Sequence, residues 1–194
     1  MRINPVEIRG NWDKGYVLDN HMTPNESRRT ELGALLYKLK YGGHYESVHD
    51  IVRLIKPFLD SFHEDYNIGW IIPAPPSKLR IIQPVEELAA VISEYLQVGF
   101  SSDILEKVSA VQVKHTSKTA KMRSLKGSVI ANKHVNEACN ILLIDDLYET
   151  GKTLTECVSV LKDDPLIENI YVLAMTKAGV GGKGLGGKGK GLKR

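Results

Sequence analysis

The sequence predicts an α/β fold, an open and mainly parallel sheet flanked by helices, on three features. The four consecutive apolar residues ILLI (141–144) read as a strand buried on both faces, the habit of parallel sheets. Leu154, Val158 and Leu161 then recur at helical spacing, and an apolar strand at about residues 170–174 follows. Strand, loop, helix and strand in that order make a βαβ unit, which places two parallel strands in one sheet. The length of 194 residues suits a single domain with a sizeable core.

The remaining elements follow in chain order. The opening MRINPVEIRGNWDKG lacks the apolar stretch of a secretory signal. Leu32, Leu35, Leu36 and Leu39 form the stripe of an amphipathic helix. Val48, Ile51, Val52, Ile55, Phe58, Leu59 and Phe62 predict a second helix, which Pro57 is expected to kink or split. A strand at about 68–72 runs into the proline-rich PAPPSK (73–78). Pro84 opens a third helix, with Val85, Leu88, Ala89, Ile92 and Leu96 on its apolar face. From about 107 to 128 the chain is polar and basic, with Lys107, Lys114, His115, Lys118, Lys121, Arg123 and Lys126. Its short apolar stretch 108–113 is expected to pair as a strand.

Residues 1–178 are thus expected to form one domain and 179–194 a disordered tail. The tail, GVGGKGLGGKGKGLKR, holds 8 of the 17 glycines, four lysines, one arginine and no acid, too polar and glycine-rich to pack. Its likeness to a histone-tail repeat is compositional, and no function is assigned to it. The net charge of +3 depends on it, because the body carries 21 basic and 23 acidic residues, a net of −2. The body therefore has no global basic signal for nucleic acid, which would find its charge only in the tail. No apolar run approaches the ~18 residues of a membrane span, so no membrane partner is expected. Cys139 and Cys157 supply neither a disulfide framework nor a common zinc pattern. A cytoplasmic location is the simplest reading, and self-association is left open.

Chemistry concentrates in ILLIDDLYETGKTL (141–154). In open α/β sheets ligands sit outside the carboxyl ends of the strands, where Asp145 and Asp146 would emerge. The following loop, with Thr150, Gly151 and Thr153, runs into a helix N-terminus and offers backbone N–H groups and a positive dipole end to a phosphate. Carboxylates beside such a cradle suit neutral hydroxyls or a metal ion, and a sugar phosphate satisfies both halves. A P-loop is excluded, since that motif needs glycine where Asp146 stands. Without the T-G-x-T loop the acids would read as solvated residues at a strand end, with Thr150 as a helix cap.

The segment resembles the phosphoribosyl pyrophosphate (PRPP) signature of type I phosphoribosyltransferases. More closely, ELGALLYKLKYGG (31–43), IIPAPPSK (71–78) and MRSLKG (122–127) resemble, in the same order, the ComF/GntX-type branch of that family. The resemblance spans roughly residues 15–176, and the PRPP signature is its specific part. It implies a type I phosphoribosyltransferase-like fold with an N-terminal hood, at about residues 11–45. By this resemblance Asp145 and Asp146 bind the ribose hydroxyls, and Glu149, Thr150, Gly151, Lys152 and Thr153 hold the 5′-phosphate. Ala74, Pro75, Pro76, Ser77 and Lys78 match the pyrophosphate loop, often strained or cis in the family. Lys118, Lys121 and Arg123 match the mobile loop that closes over pyrophosphate, Lys121 and Arg123 acting in catalysis beside Glu149, the acid/base for the acceptor. Lys40, Tyr41 and His21 are the acceptor candidates. Magnesium is the implied cofactor, carried by PRPP and at most water-bridged to Asp145 and Asp146, with no direct protein ligand. The implied activity is transfer of ribose 5-phosphate from PRPP to a nitrogenous acceptor with release of pyrophosphate. A non-catalytic PRPP-binding regulator or DNA-uptake adaptor is the alternative. Many members of the branch carry a four-cysteine zinc ribbon, which the two cysteines here do not provide.

Overall fold

The computed structural model describes residues 3–25, 27–78, 80, 82–108 and 128–179. The basic stretch from Lys114 to Lys126, with Lys118, Lys121 and Arg123, residues 109–113 of the strand expected over 108–113, and the tail from 180 onward lie outside the described residues. In chain order the elements are β1 (Val6–Glu7), β2 (Lys14–Asn20), α1 (Glu31–Tyr41), α2 (Ser47–Tyr66), β3 (Ile68–Pro73), α3 (Pro84–Leu96), β4 (Gly99–Phe100), β5 (Leu105–Lys107), β6 (Val129–Ala131), β7 (Cys139–Tyr148), α4 (Lys152–Leu161) and β8 (Ile167–Lys177).

Six strands form one sheet in the order β1-β2-β8-β7-β3-β4. Every neighbouring pair is parallel except β1 with β2, an antiparallel edge on an otherwise parallel sheet. A separate antiparallel ribbon joins β5 to β6. The α/β class is therefore as the sequence predicts, an open and mainly parallel sheet flanked by helices.

Both faces of the sheet are covered, and the side chains of each central strand divide between two cores. Leu142, Ile144, Tyr171, Leu173 and Met175 pack against α1, α2 and α3. Their neighbours Ile141, Leu143, Ile170, Val172 and Ala174 pack on the other face with Leu154, Val158 and Leu161 of α4. Such side chains contribute about 1.5–3 kcal/mol each when fully buried. Two layers of them explain why β7 and β8 read as unbroken apolar runs. Cys139 and Cys157 are buried free thiols, and burial pushes them up to about 11 and about 12.

Three expectations change in detail. Pro57 does not split the second helix, which runs unbroken from Ser47 to Tyr66. Pro57 and Arg53, the residue one turn before it, are both exposed, so the carbonyl that proline leaves without a helical partner lies on the solvent face. The strand expected to stop at Ile144 continues to Tyr148, because pairing with β8 persists through Asp145, Leu147 and Tyr148. Of the segment 11–45, residues 14–20 are a sheet strand beside β8, while α1 packs over β2 and β8.

Candidate functional site

The topology itself opens a crevice. From β3 the chain passes through α3 to β4, and from the neighbouring β7 it passes through α4 to β8 in the opposite direction. The two helices lie on opposite faces, so neither crossover helix fills the gap beyond the carboxyl ends of β3 and β7. This is a topological switch point, where ligands of open α/β sheets bind. β3 ends at Pro73 opposite Ile144, and β7 runs four residues further. Asp145 and Asp146 lie on that overhang.

A cleft of about 350 Å³ occupies the crevice. Residues 74–78 form one wall, Asp145, Asp146 and Thr153 a second, and Lys40 and Tyr41 of α1 a third. The proline-rich turn is anchored by Ala74, buried and donating its N–H to the Ile144 carbonyl at 2.8 Å. Its peptide bonds are all trans, unlike the cis form frequent in the resembled family. Lys107, the first cation of the basic stretch, also lines the cleft.

The two acids are unequal. Lys40 Nζ lies 2.5 Å from Asp146 Oδ2, both largely buried, so Asp146 has a cation at hand. Asp145 accepts the N–H of Asp146 at 2.8 Å, but burial and the adjacent Asp146 charge push it up to about 7. Near neutrality Asp145 is therefore the member of the pair that exchanges its proton.

A second hollow of about 120 Å³ adjoins the cleft, lined by Asp145, Leu147, Tyr148 and the loop of Glu149, Thr150, Gly151, Lys152 and Thr153. Gly151 is the N-cap of α4 in the left-handed region, φ 73°. A Cβ there would stand 3.0 Å from the Tyr148 ring, so glycine meets both demands of the turn. Gly151 itself offers no side-chain cap, and only the Thr150 hydroxyl reaches the helix start, accepting the Lys152 N–H at 3.4 Å, so the positive end of α4 faces the hollow. Glu149 and Thr150 are exposed at the loop. The exposed Lys152 ammonium lies 3.9 Å from the largely buried Glu156 carboxylate one turn along the same helix.

His21 joins Lys40, Tyr41 and Asp146 around a smaller cavity of about 90 Å³ beside the cleft. Arg80 and Gln83 also line the main cleft, and sequence reasoning missed both. Gln83 could have been found, because the residue before a helix-opening proline is the N-cap and stands at the sheet edge. Among the described residues no cluster of three metal-ligating side chains occurs.

No family model and no curated protein matches the chain. Among solved structures it is similar to phosphoribosylpyrophosphate synthetase from Mycobacterium smegmatis, with 14% identity, a TM-score of 0.41 and coverage of 65% of this chain and 32% of that one. The chain thus spans about a third of the synthetase's length. It is also similar to adenine phosphoribosyltransferase from Leishmania tarentolae, with 13% identity, a TM-score of 0.42 and coverage of 90% and 94%. A third likeness is adenine phosphoribosyltransferase from Thermoanaerobacter pseudethanolicus, with 14% identity, a TM-score of 0.42 and coverage of 68% and 84%. Likenesses at this level assign the chain neither a family nor an activity.

Proposed function

We propose that the chain is a magnesium-dependent phosphoribosyltransferase of the type I kind, in its ComF/GntX-type branch. It transfers the ribose 5-phosphate group of PRPP to a nitrogenous acceptor and releases pyrophosphate. The observation that carries this reading is the switch-point cleft, where residues 74–78, the acid pair and Thr153 meet beside the hollow of the 149–153 loop. A sugar carrying a phosphate at one end and a pyrophosphate at the other fits that order of groups.

In this reading the loop's N–H groups and the α4 dipole take the 5′-phosphate. Asp145 and Asp146 take the vicinal hydroxyls, while Lys78 and Arg80 spread the charge of the leaving group over residues 74–78. The bond from the anomeric carbon to the pyrophosphate oxygen breaks, its electron pair leaving with pyrophosphate, and the acceptor nitrogen bonds to that carbon. Glu149 takes the acceptor's proton, and Lys121 and Arg123 close over the pyrophosphate.

The donor set fits magnesium held mainly by substrate oxygens and water. The chain offers two hard carboxylates, one already paired with Lys40, and no protein cage among the described residues. When bound, the ion neutralises charge on the leaving group.

The test is calorimetric titration of Mg–PRPP into the wild type and the Asp145→Asn, Asp146→Asn double variant. Hydrogen bonds to ionised carboxylates are worth about 1.5–3 kcal/mol each, so affinity should fall by roughly a hundredfold or more. Unchanged affinity in a folded double variant overturns the reading. Saturable PRPP binding with no pyrophosphate release across a panel of nucleobases and amines would instead favour the non-catalytic regulator.

A further inference from the structure

His21 stands just beyond the carboxyl end of β2, and its backbone is held on both sides. Its N–H donates to the Lys177 carbonyl of β8 at 2.8 Å, and its carbonyl accepts from Thr30 N–H at 3.3 Å. Helix α1 comes close because residue 33 is glycine; a Cβ there would lie 2.2 Å from the His21 carbonyl oxygen. The imidazole is thereby placed on the strand row β2-β8-β7, beside Thr176 and Asp146.

The hydrogen bonds of Thr176 decide the ring's tautomer. Thr176 Oγ1, fully buried, lies 3.2 Å from the Asp146 carbonyl oxygen and 3.2 Å from His21 Nδ1. The carbonyl can only accept, so the hydroxyl's single proton goes there. The hydroxyl must then accept from the ring, which puts the proton on Nδ1 and leaves a lone pair on Nε2. No hydrogen bond engages Nε2 among the described residues. Burial, with the Arg29 and Lys40 cations nearby, holds the His21 imidazole below its ordinary value against the opposing Asp146 charge, which keeps the ring neutral near pH 7.

We propose that His21 is the residue that selects the acceptor, its Nε2 accepting a hydrogen bond from an edge N–H of a neutral heteroaromatic ring. The walls of the small cavity define that class. Leu36, Tyr37 and Tyr41 offer apolar and aromatic surface, Tyr37 with the Arg29 guanidinium 3.8 Å from its ring centre. The Lys40 and Arg29 cations disfavour an ammonium group. At about 90 Å³ the cavity has room for about three waters, so it admits the edge of a ring whose body lies in the main cleft. The two spaces share Lys40, Tyr41 and Asp146. An acceptor methylated at that edge nitrogen would be refused. This assignment rests on the phosphoribosyl reading above.

The test uses the full chain with nitrogen-15-labelled histidines, His21 being assigned by its absence in His21→Phe. Long-range nitrogen–proton spectra near pH 7 should show His21 neutral with its proton on Nδ1. Adenine, hypoxanthine, uracil and nicotinamide are the probes, and at least one should move the Nε2 resonance. The His21→Phe variant should bind that base about tenfold more weakly, the effect of one buried hydrogen bond. If His21→Phe does not fold, Thr176→Val serves, since without the hydroxyl both tautomers should appear. A proton on Nε2 overturns the assignment. So does an Nε2 resonance unmoved by all four bases in protein that binds ribose 5-phosphate. Failure of the wild type to bind ribose 5-phosphate sinks the phosphoribosyl reading, and this one with it.

Discussion

At the scale of single residues, Asp145 and Glu149 make opposite demands on their surroundings. Asp145 is held up to about 7 mainly by burial, while a free aspartate sits at about 3.9. Between those two values the folded protein keeps a proton that the unfolded chain releases. This contribution to stability is complete below about pH 4 and is lost as the pH rises through 7. The Asp145→Asn variant lacks it. Its melting temperature relative to the wild type should therefore rise between pH 4 and pH 8, by about 2–4 °C for each kcal/mol of linkage. A difference that stays constant in scanning calorimetry across that range would show that Asp145 is not perturbed. Glu149 is exposed on the loop, free to meet an acceptor. If it moves the acceptor's proton, Glu149→Gln should cost on the order of 10²–10⁴ in turnover with little change in PRPP affinity. Turnover within about threefold of the wild type, far below that range, would remove it from catalysis. Both residues were legible in the sequence because strand, acids and T-G-x-T loop are consecutive. Neither Lys40 against Asp146 nor His21 against Thr176 was, because each pair joins distant parts of the chain and no local pattern records it.

At the scale of elements, the loop from Tyr148 to the first turn of α4 is the most constrained piece of the site. Gly151→Val would force a β-branched side chain into the left-handed region and against Tyr148, at the rim of the hollow. Ribose 5-phosphate binding should be lost while the far-ultraviolet circular dichroism is kept; native affinity in that variant would mean the hollow is not the phosphate cradle. Helix α2 and strand β7 show where element boundaries escaped the sequence. A proline predicts a break from local sterics, yet it is tolerated on an exposed face of a helix whose other face buries Ile51, Ile55, Leu59 and Phe62. A pair of aspartates predicts a strand end, yet the ladder to β8 carries β7 past them. In both cases tertiary pairing overrode a local preference.

At the scale of the whole molecule, the composition separates a body from its tail. Truncation after Ala178 should leave the melting temperature and Mg–PRPP affinity unchanged, because sixteen residues so rich in glycine and lysine, with three scattered apolar side chains, are too polar to add to the core. A large fall in the melting temperature would show that the tail packs. The class of fold was legible throughout, since the two-faced burial of β7 and β8 writes itself as apolar runs. The placing of β2 was not, and it has a consequence for how the chain is made. β2 lies between β1 and β8, and Asp13 caps the N–H of Ile170 across 157 residues of chain. On a ribosome this strand must wait for the 157 residues that separate Asp13 from Ile170 before its parallel neighbour exists. Closure of so long a loop is slow, which makes β2 docking the natural late step of folding and leaves its edge open to chaperones until β8 has been made.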